Sequence, residues 1–346
     1  MFAFISNIFG YLLDFLYNLV NNYGYAIILF SILLRIILLP LTIKQQNSMK
    51  KTSKIQGEIK SLQLKYKNNQ EMLNKETMEL YKREKISPFS GCLSAIIQII
   101  IILSVFYLVS QPLTYMKKAN DSHPELKTVV NEYKEEVNND SNNKSRYLEI
   151  AAIARMRDDY TRINEKINNY DNNVENTETV ENTEEQANVE AAENTENKEK
   201  TESTEKVESK EDLQNRKNIL EKLNINMDFI GLDLSKVPNE NLKDFKVYII
   251  PLLYVISSFI SIKLTTNMQN KKKDKKEENK DKDNDKLDME ESMAQMNKSM
   301  SYMMPIMTLF IAFIAPLGLA LYWFVSNVLM IAERFIITKI LDSKEA

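Results

Sequence analysis

One arginine interrupts an apolar run. In Ser31-Ile-Leu-Leu-Arg-Ile-Ile-Leu-Leu-Pro40, Arg35 lies nine residues before Lys44, the expected cytoplasmic edge of a span. That spacing corresponds to a depth of roughly 13 Å along a helix. An arginine so placed costs about 2.5–3.5 kcal/mol on insertion scales, so it faces either a watery cavity or a partner. The apolar blocks contain almost no acid apart from Glu333, close to the end of the last one. With no obvious permanent partner, Arg35 points to a hydrated cavity in the inner half of the membrane. The alternative is an arginine held by a membrane acid or by backbone carbonyls. In a cavity, its chemistry is attraction of an anionic group rather than bond making.

Other polar side chains fall inside apolar blocks and are candidates to line the same cavity: Gln98, Ser257, Ser258, Ser261, Thr308 and Asn327. Serine and threonine carry the weaker signal, because they can bond their own helix backbone. Gln98 and Asn327 are costlier to leave in lipid and point inward more reliably. Tyr322 and Trp323 suit either an aromatic belt or the cavity wall. Met293, Met296, Met300, Met303, Met304 and Met307 supply adaptable apolar surface, read here as helix packing.

Several chemistries lack their parts. A single cysteine, Cys92, excludes an intramolecular disulfide and a cysteine metal cluster, and a single His123 excludes a histidine-rich metal site or a His-based triad. Paired intramembrane acids and a Ser/Lys dyad are absent from the pattern, so an enzyme is not expected.

The elements that must position Arg35 follow from alternation of apolar and charged stretches along 346 residues. Apolar blocks at 22–43, 92–111, 247–264, 300–316 and 317–338 approach the roughly 20 residues a spanning helix needs. At 1–20, apolar residues recur at helical spacing opposite Asn7, Tyr11, Asp14 and Asn18, which suits an amphipathic helix in the membrane interface. The first residues lack a positive n-region and a small-residue cleavage motif, so no secretory signal peptide is expected. The fold class is therefore an all-α integral membrane protein, with five transmembrane helices, an N-terminal interfacial helix and a cytoplasmic helical hairpin.

Charge sets the orientation. The segment 44–87 carries eleven Lys or Arg against five acids and belongs in the cytoplasm, whereas 113–245 carries thirty acids against nineteen bases and belongs outside. The cytoplasm then receives the charged loop 265–299 and the tail 339–346, and the N-terminus lies outside. Within 44–87, Ile55, Ile59, Leu62 and Tyr66 form one seam, Asn68-Asn69 a turn, and Leu73, Leu80 and Tyr81 a facing seam. Lys50, Lys51, Lys54, Lys82 and Arg83 make the hairpin basic, suited to anionic lipid, ribosomal RNA or a targeting factor. In the external loop, 148–167 has apolar content for one short helix. About 168–212 is Asn, Glu and Thr with repeated Glu-Asn-Thr-Glu elements and should be disordered, as should 270–290.

The combination resembles a known family. Asn22-Tyr-Gly-Tyr-Ala-Ile-Ile-Leu-Phe30, Arg35 and Leu38-Leu-Pro-Leu-Thr42 are similar to the first core span of the YidC/oxidase-assembly/Alb membrane-protein insertases, in their short Gram-positive-like form. Ser48-Met-Lys-Lys51 and Glu79-Leu-Tyr-Lys82 resemble their hairpin, and Gly91-Cys-Leu93 with Gln98 their next span. Phe229-Ile-Gly-Leu-Asp-Leu234 resembles the entry to the third span, and Met303-Met-Pro-Ile-Met307 and Gly318-Leu-Ala-Leu-Tyr-Trp323 with Asn327 the last two. Gly57 stands where the family often has proline, and the external loop is longer and more acidic than small members carry.

The resemblance implies a groove open to cytoplasm and lipid and closed outside, in the cell membrane of a bacterium. Arg35 would attract acidic residues in the external tail of a nascent membrane protein, and the 44–87 hairpin would receive the chain. Gln98, Ser257, Ser261, Thr308, Trp323 and Asn327 would line the groove. No nucleotide, metal or other cofactor is implied, because burial of about 20 apolar residues drives insertion. The Sec translocon and the ribosome are conceivable partners; DNA is not. Two rivals remain: a small channel or transporter with an anion site at Arg35, and a scaffold displaying the acidic loop.

Overall fold

Asn22 starts the longest helix. Its backbone is extended, and its side-chain oxygen accepts from Gly24 N at 3.0 Å and Tyr25 N at 3.2 Å, capping two of the donors a helix leaves unpaired. The computed structural model describes residues 2–84, 90–140, 145–178, 209–274 and 309–345. They divide into two compact units, Met1–Met116 with Asn226–Ala346, and Lys117–Ile225.

The first unit is a helical bundle. It comprises α1 (Phe2–Val20), α2 (Tyr23–Lys65), α3 (Gln70–Arg83), α4 (Ser90–Ser110) and α5 (Pro112–Tyr115). After the second unit come the antiparallel strands β1 (Asp228–Phe229) and β2 (Leu232–Asp233), then α9 (Ile249–Asp274), a helical stretch α10 at 309–314, and α11 (Leu317–Glu345). The second unit holds α6 (Pro124–Asn139), α7 (Leu148–Glu178) and α8 (Lys210–Leu223). By length and composition, four helical segments among the described residues can cross a membrane: Phe2–Val20, Tyr23–Ser48, Phe245–Leu264 and Leu317–Ile337. The chain is thus an all-α integral membrane protein. In α4 the shorter Ile99–Ser110 stretch is apolar, and most of 300–316, Thr308 and the methionine stripe included, lies outside the described residues.

The expected span 22–43 and the first arm of the expected hairpin 44–87 form one helix. Helix α2 continues through Pro40 to Lys65, a length of roughly 65 Å, so the first arm of the hairpin is the span itself prolonged. Proline removes one hydrogen bond from a helix without ending it when packing holds the rest. The hairpin closes through part of both expected seams, without Tyr66 and Leu73. Ile55 and Leu80 are buried, with Ile59, Leu62 and Tyr81 packed against them, and Asn69 caps α3 by accepting from Met72 N at 3.0 Å.

A collar of hydrogen bonds ties the bundle at one end. Asn226 N donates to the Tyr17 hydroxyl at 2.8 Å, Tyr23 N donates to Asn226 O at 2.9 Å, and the Asn22 amide donates to Asp228 O at 2.6 Å. The first donors of α11 are satisfied there too, Leu317 N by Lys236 O at 2.9 Å and Gly318 N by Leu234 O at 3.1 Å. Below the collar Tyr23, Ala26, Ile27 and Phe30 of α2 are buried, and Phe30 meets Phe9 at 5.5 Å and Tyr322 at 6.5 Å between ring centroids.

The second unit overturns one expectation. The pattern of 113–245 predicts a loop with a single short helix; instead Pro124–Asn139 (α6), Leu148–Glu178 (α7) and Lys210–Leu223 (α8) pack together. Their core includes Leu126, Val130, Tyr133, Ile153, Ile163 and Leu220. Helix therefore replaces expected disorder at both edges of 168–212, while 179–208 lies outside the described residues. Helix α9 likewise covers the start of 270–290, the remainder of which lies outside them.

Candidate functional site

Burial on α2 stops at Leu34. Above that residue the face toward α1, α4 and α11 is packed; from Arg35 to Ser48 no described side chain is buried, and burial returns at Ile55. Arg35 stands at the change, its side chain 21% exposed. Helix α11 supplies its partners. Arg35 Nη2 donates to the Ser326 carbonyl at 3.1 Å, and Nη1 lies 3.5 Å from Glu333 Oε2, whose side chain is 8% exposed.

This geometry corrects the expectation of an arginine without a permanent partner. The alternative set beside it, a membrane acid plus a backbone carbonyl, is what α11 provides. Tyr322, Ser326 and Glu333 are four and seven residues apart and so share a helix face. That periodicity was the legible signal for the pair. Placing Glu333 at the end of its span obscured it.

The other candidates separate into groups. Asn327 and Ser257 meet: the Asn327 amide donates to Ser257 Oγ at 2.9 Å and to Ser258 Oγ at 3.2 Å, bridging α9 and α11. Both serines donate in turn to Tyr254 O, at 2.8 and 2.9 Å. Trp323, one turn before Asn327, sets its ring 6.2 Å from that of Tyr254 and is half-buried. Ser261, one turn after Ser257, is buried. Gln98 falls in α4 and its side chain lies outside the described residues, as does all of Thr308. The arrangement is therefore two polar layers on one helix, with Ser326 turned to Arg35 of α2 and its neighbour Asn327 turned to α9. Ser326 and Tyr254 were not anticipated, because a contributing backbone carbonyl has no signature in sequence.

On the hairpin, Lys51, Lys82 and Arg83 are exposed, and the side chains of Lys50 and Lys54 lie outside the described residues. Arg83 is paired with Glu58 across the hairpin and with Glu84 beside it, so part of its charge is neutralised. Among the described residues no group of three or more His, Cys, Asp or Glu could hold a metal ion.

A family model described as 60Kd inner membrane protein matches residues 15–153 and 215–344. The chain is 44% identical over 108 residues to the membrane protein insertase YidC of Fusobacterium nucleatum, a stretch covering 30% of this chain and 53% of that protein. It is 43% identical over 107 residues to the protein of the same name from Caldanaerobacter subterraneus, covering 31% and 52%. With that of Francisella tularensis subsp. novicida the figures are 42% over 109 residues, covering 32% and 20%. The matched stretches thus span about half the length of the first two relatives.

Proposed function

Because this chain belongs to the 60Kd inner membrane protein family, we propose that it is a membrane-protein insertase acting without covalent chemistry. It draws the short external tail of a substrate into a polar groove and releases the apolar helix into lipid. The observation that carries this reading is Arg35, partly exposed at the point where the packed face of α2 ends. Above it the collar and the apolar core close the bundle. Beside Glu333 the Arg35 side chain remains partly exposed, and a carboxylate that reaches it finds a charge already in place. Burial of the substrate's apolar helix drives the process, while Arg35 lowers the barrier for its polar tail.

The groove centres on Arg35, and the polar layer of Ser257, Ser261, Trp323 and Asn327 between α9 and α11 braces the helix that carries its partners; the expected contributions of Gln98 and Thr308 lie outside the described residues. The α2–α3 hairpin, with Lys50, Lys51, Lys54, Lys82 and Arg83, receives nascent chain and meets anionic lipid, the ribosome or a targeting factor. Charge asymmetry puts the hairpin and C-terminus in the cytoplasm and the collar outside, in a bacterial cell membrane crossed by five helices. Helix α1 lies in the outer interface. In support, Phe4, Ile8, Phe15 and Leu19 are exposed on one side, and an Asn18–Asp14 hydrogen bond of 3.3 Å stands among them.

The test is insertion of a single-span substrate with an acidic external tail into liposomes containing the protein. Wild type should exceed protein-free liposomes, Arg35→Ala should lose about tenfold, and Arg35→Glu more, since a reversed charge repels the tail. Insertion indifferent to both substitutions would remove charge attraction from the mechanism. Insertion no better than protein-free liposomes would favour a channel with an anion site at Arg35.

A further inference from the structure

The Arg35 site already holds an acid, and the fit is poor. Arginine binds carboxylate best through two parallel hydrogen bonds. Here Glu333 offers only Oε2, at 3.5 Å, and its buried Oε1 has no hydrogen-bond partner among the described residues. A buried polar atom without a partner calls for an explanation. The Ser326 carbonyl occupies the other side of the guanidinium at 3.1 Å, yet the arginine side chain keeps 21% of its surface exposed. Arg334 follows directly on α11 and is half-buried, so two cations and one carboxylate share this part of the bundle.

We infer that Glu333 is a resident counter-ion of Arg35 that competes with the acidic tail of an incoming substrate, and so sets how many carboxylates a tail must carry to be accepted. The inference rests on the insertase reading and adds a specificity residue to it. One incoming carboxylate offers Arg35 little more than Glu333 already does. Several carboxylates make the exchange favourable, since a tail that carries more of them presents a higher local concentration against the single Glu333. The internal acid also screens Arg35 in the empty site, where an unpaired guanidinium inside a membrane would be costly. The long contact and the orphaned oxygen are what a displaceable ligand would show; a permanent structural pair would close both bonds.

The experiment compares the full-length protein in liposomes with substrates whose external tails carry one or three aspartates. Its readout is the ratio of three-acid to one-acid insertion. Glu333→Gln keeps size and hydrogen-bonding capacity but removes the competing charge, and should shrink that ratio by roughly fivefold, the value of a partly exposed charge pair. Glu333→Asp keeps the charge but withdraws it by one methylene, so the ratio should shift the same way by less. Should Glu333→Gln not fold, the Asp variant decides alone. A ratio unchanged in the folded variants, with insertion of both tails moving in parallel, would make Glu333 a structural residue and overturn the inference. Wild-type protein inserting neither tail above protein-free liposomes would instead remove the insertase reading on which it stands.

Discussion

Asn327 bridges two helices with one amide group. Its two donated bonds reach Ser257 and Ser258, which are themselves anchored on Tyr254 O, so α9 and α11 are joined by a short polar ladder inside apolar surroundings. Interhelical bonds of this kind are worth about 0.6 kcal/mol on average in a membrane and at most about 1.7. Asn327→Leu should therefore destabilise the protein by roughly 1–2 kcal/mol, since both hydroxyls also lose an interhelical neighbour. Trp323 is the chain's single tryptophan, one turn away and close to Tyr254, so its fluorescence during thermal unfolding in detergent reports the loss. An unchanged midpoint would mean the ladder does not hold these helices. Residue types were legible without a structure: Arg35, Asn327 and Ser257 stand out because polar side chains in apolar runs need a reason. Which side chain meets which was not. Arg35 and Glu333 are 298 positions apart, and only the packing of α2 against α11 brings them together.

Whole elements were legible where apolar periodicity was strong and unobscured. The hairpin seams of Ile55, Ile59 and Leu62 against Leu80 and Tyr81 follow directly from spacing. Helix α6 carries as clear a pattern in Leu126, Val129, Val130, Tyr133 and Val137, but it sits among so many acids that composition masked periodicity. The same holds for Leu213, Leu220 and Leu223 of α8. The collar illustrates what spacing cannot give. A Cβ built on Gly24 would overlap the Phe229 ring, so this glycine is fixed by close approach of the β1 strand to α2. Gly24→Ala should cost about 1–3 kcal/mol, as overpacking does, and adding Phe229→Ala should recover part of the thermal midpoint; no recovery would place the strain elsewhere. In the second unit, Tyr133 donates to Asp159 Oδ2 at 2.6 Å and accepts from Arg216 Nη2 at 3.3 Å. Burial, followed by the bond to Asp159, raises the phenol above its ordinary 10.0. With the folded value raised, this contribution is complete below pH 10 and is lost as pH rises beyond it. The midpoint difference between wild type and Tyr133→Phe, followed by calorimetry, should thus shrink above about pH 10; a difference that grows there would contradict the assignment.

At the scale of the molecule, the two blocks matching the family leave 154–214 between them, and most of α7 falls in that interval. Its middle, 179–208, holds ten glutamates against three lysines and almost no large apolar residue. If the protein were a scaffold, this acidic stretch would be its working part, and removing the charge would abolish function. If it is an insertase, the work lies at Arg35 in the other unit, and the stretch is dispensable. Deleting all of 168–212 would not separate the two, because it would also cut the end of α7 and remove Ser209, whose hydroxyl accepts from Asp212 N at 3.1 Å to cap α8. The discriminating variant replaces only 179–208 with a neutral Gly/Ser sequence of equal length, which keeps the chain's reach while removing its charge. Insertion of an acidic-tailed substrate should then stay within about twofold of wild type, and its dependence on Arg35 should persist, since the attracting charge is unchanged. Loss of insertion in a variant whose α6–α8 unit remains helical and whose Arg35 is intact would move the function to the acidic stretch.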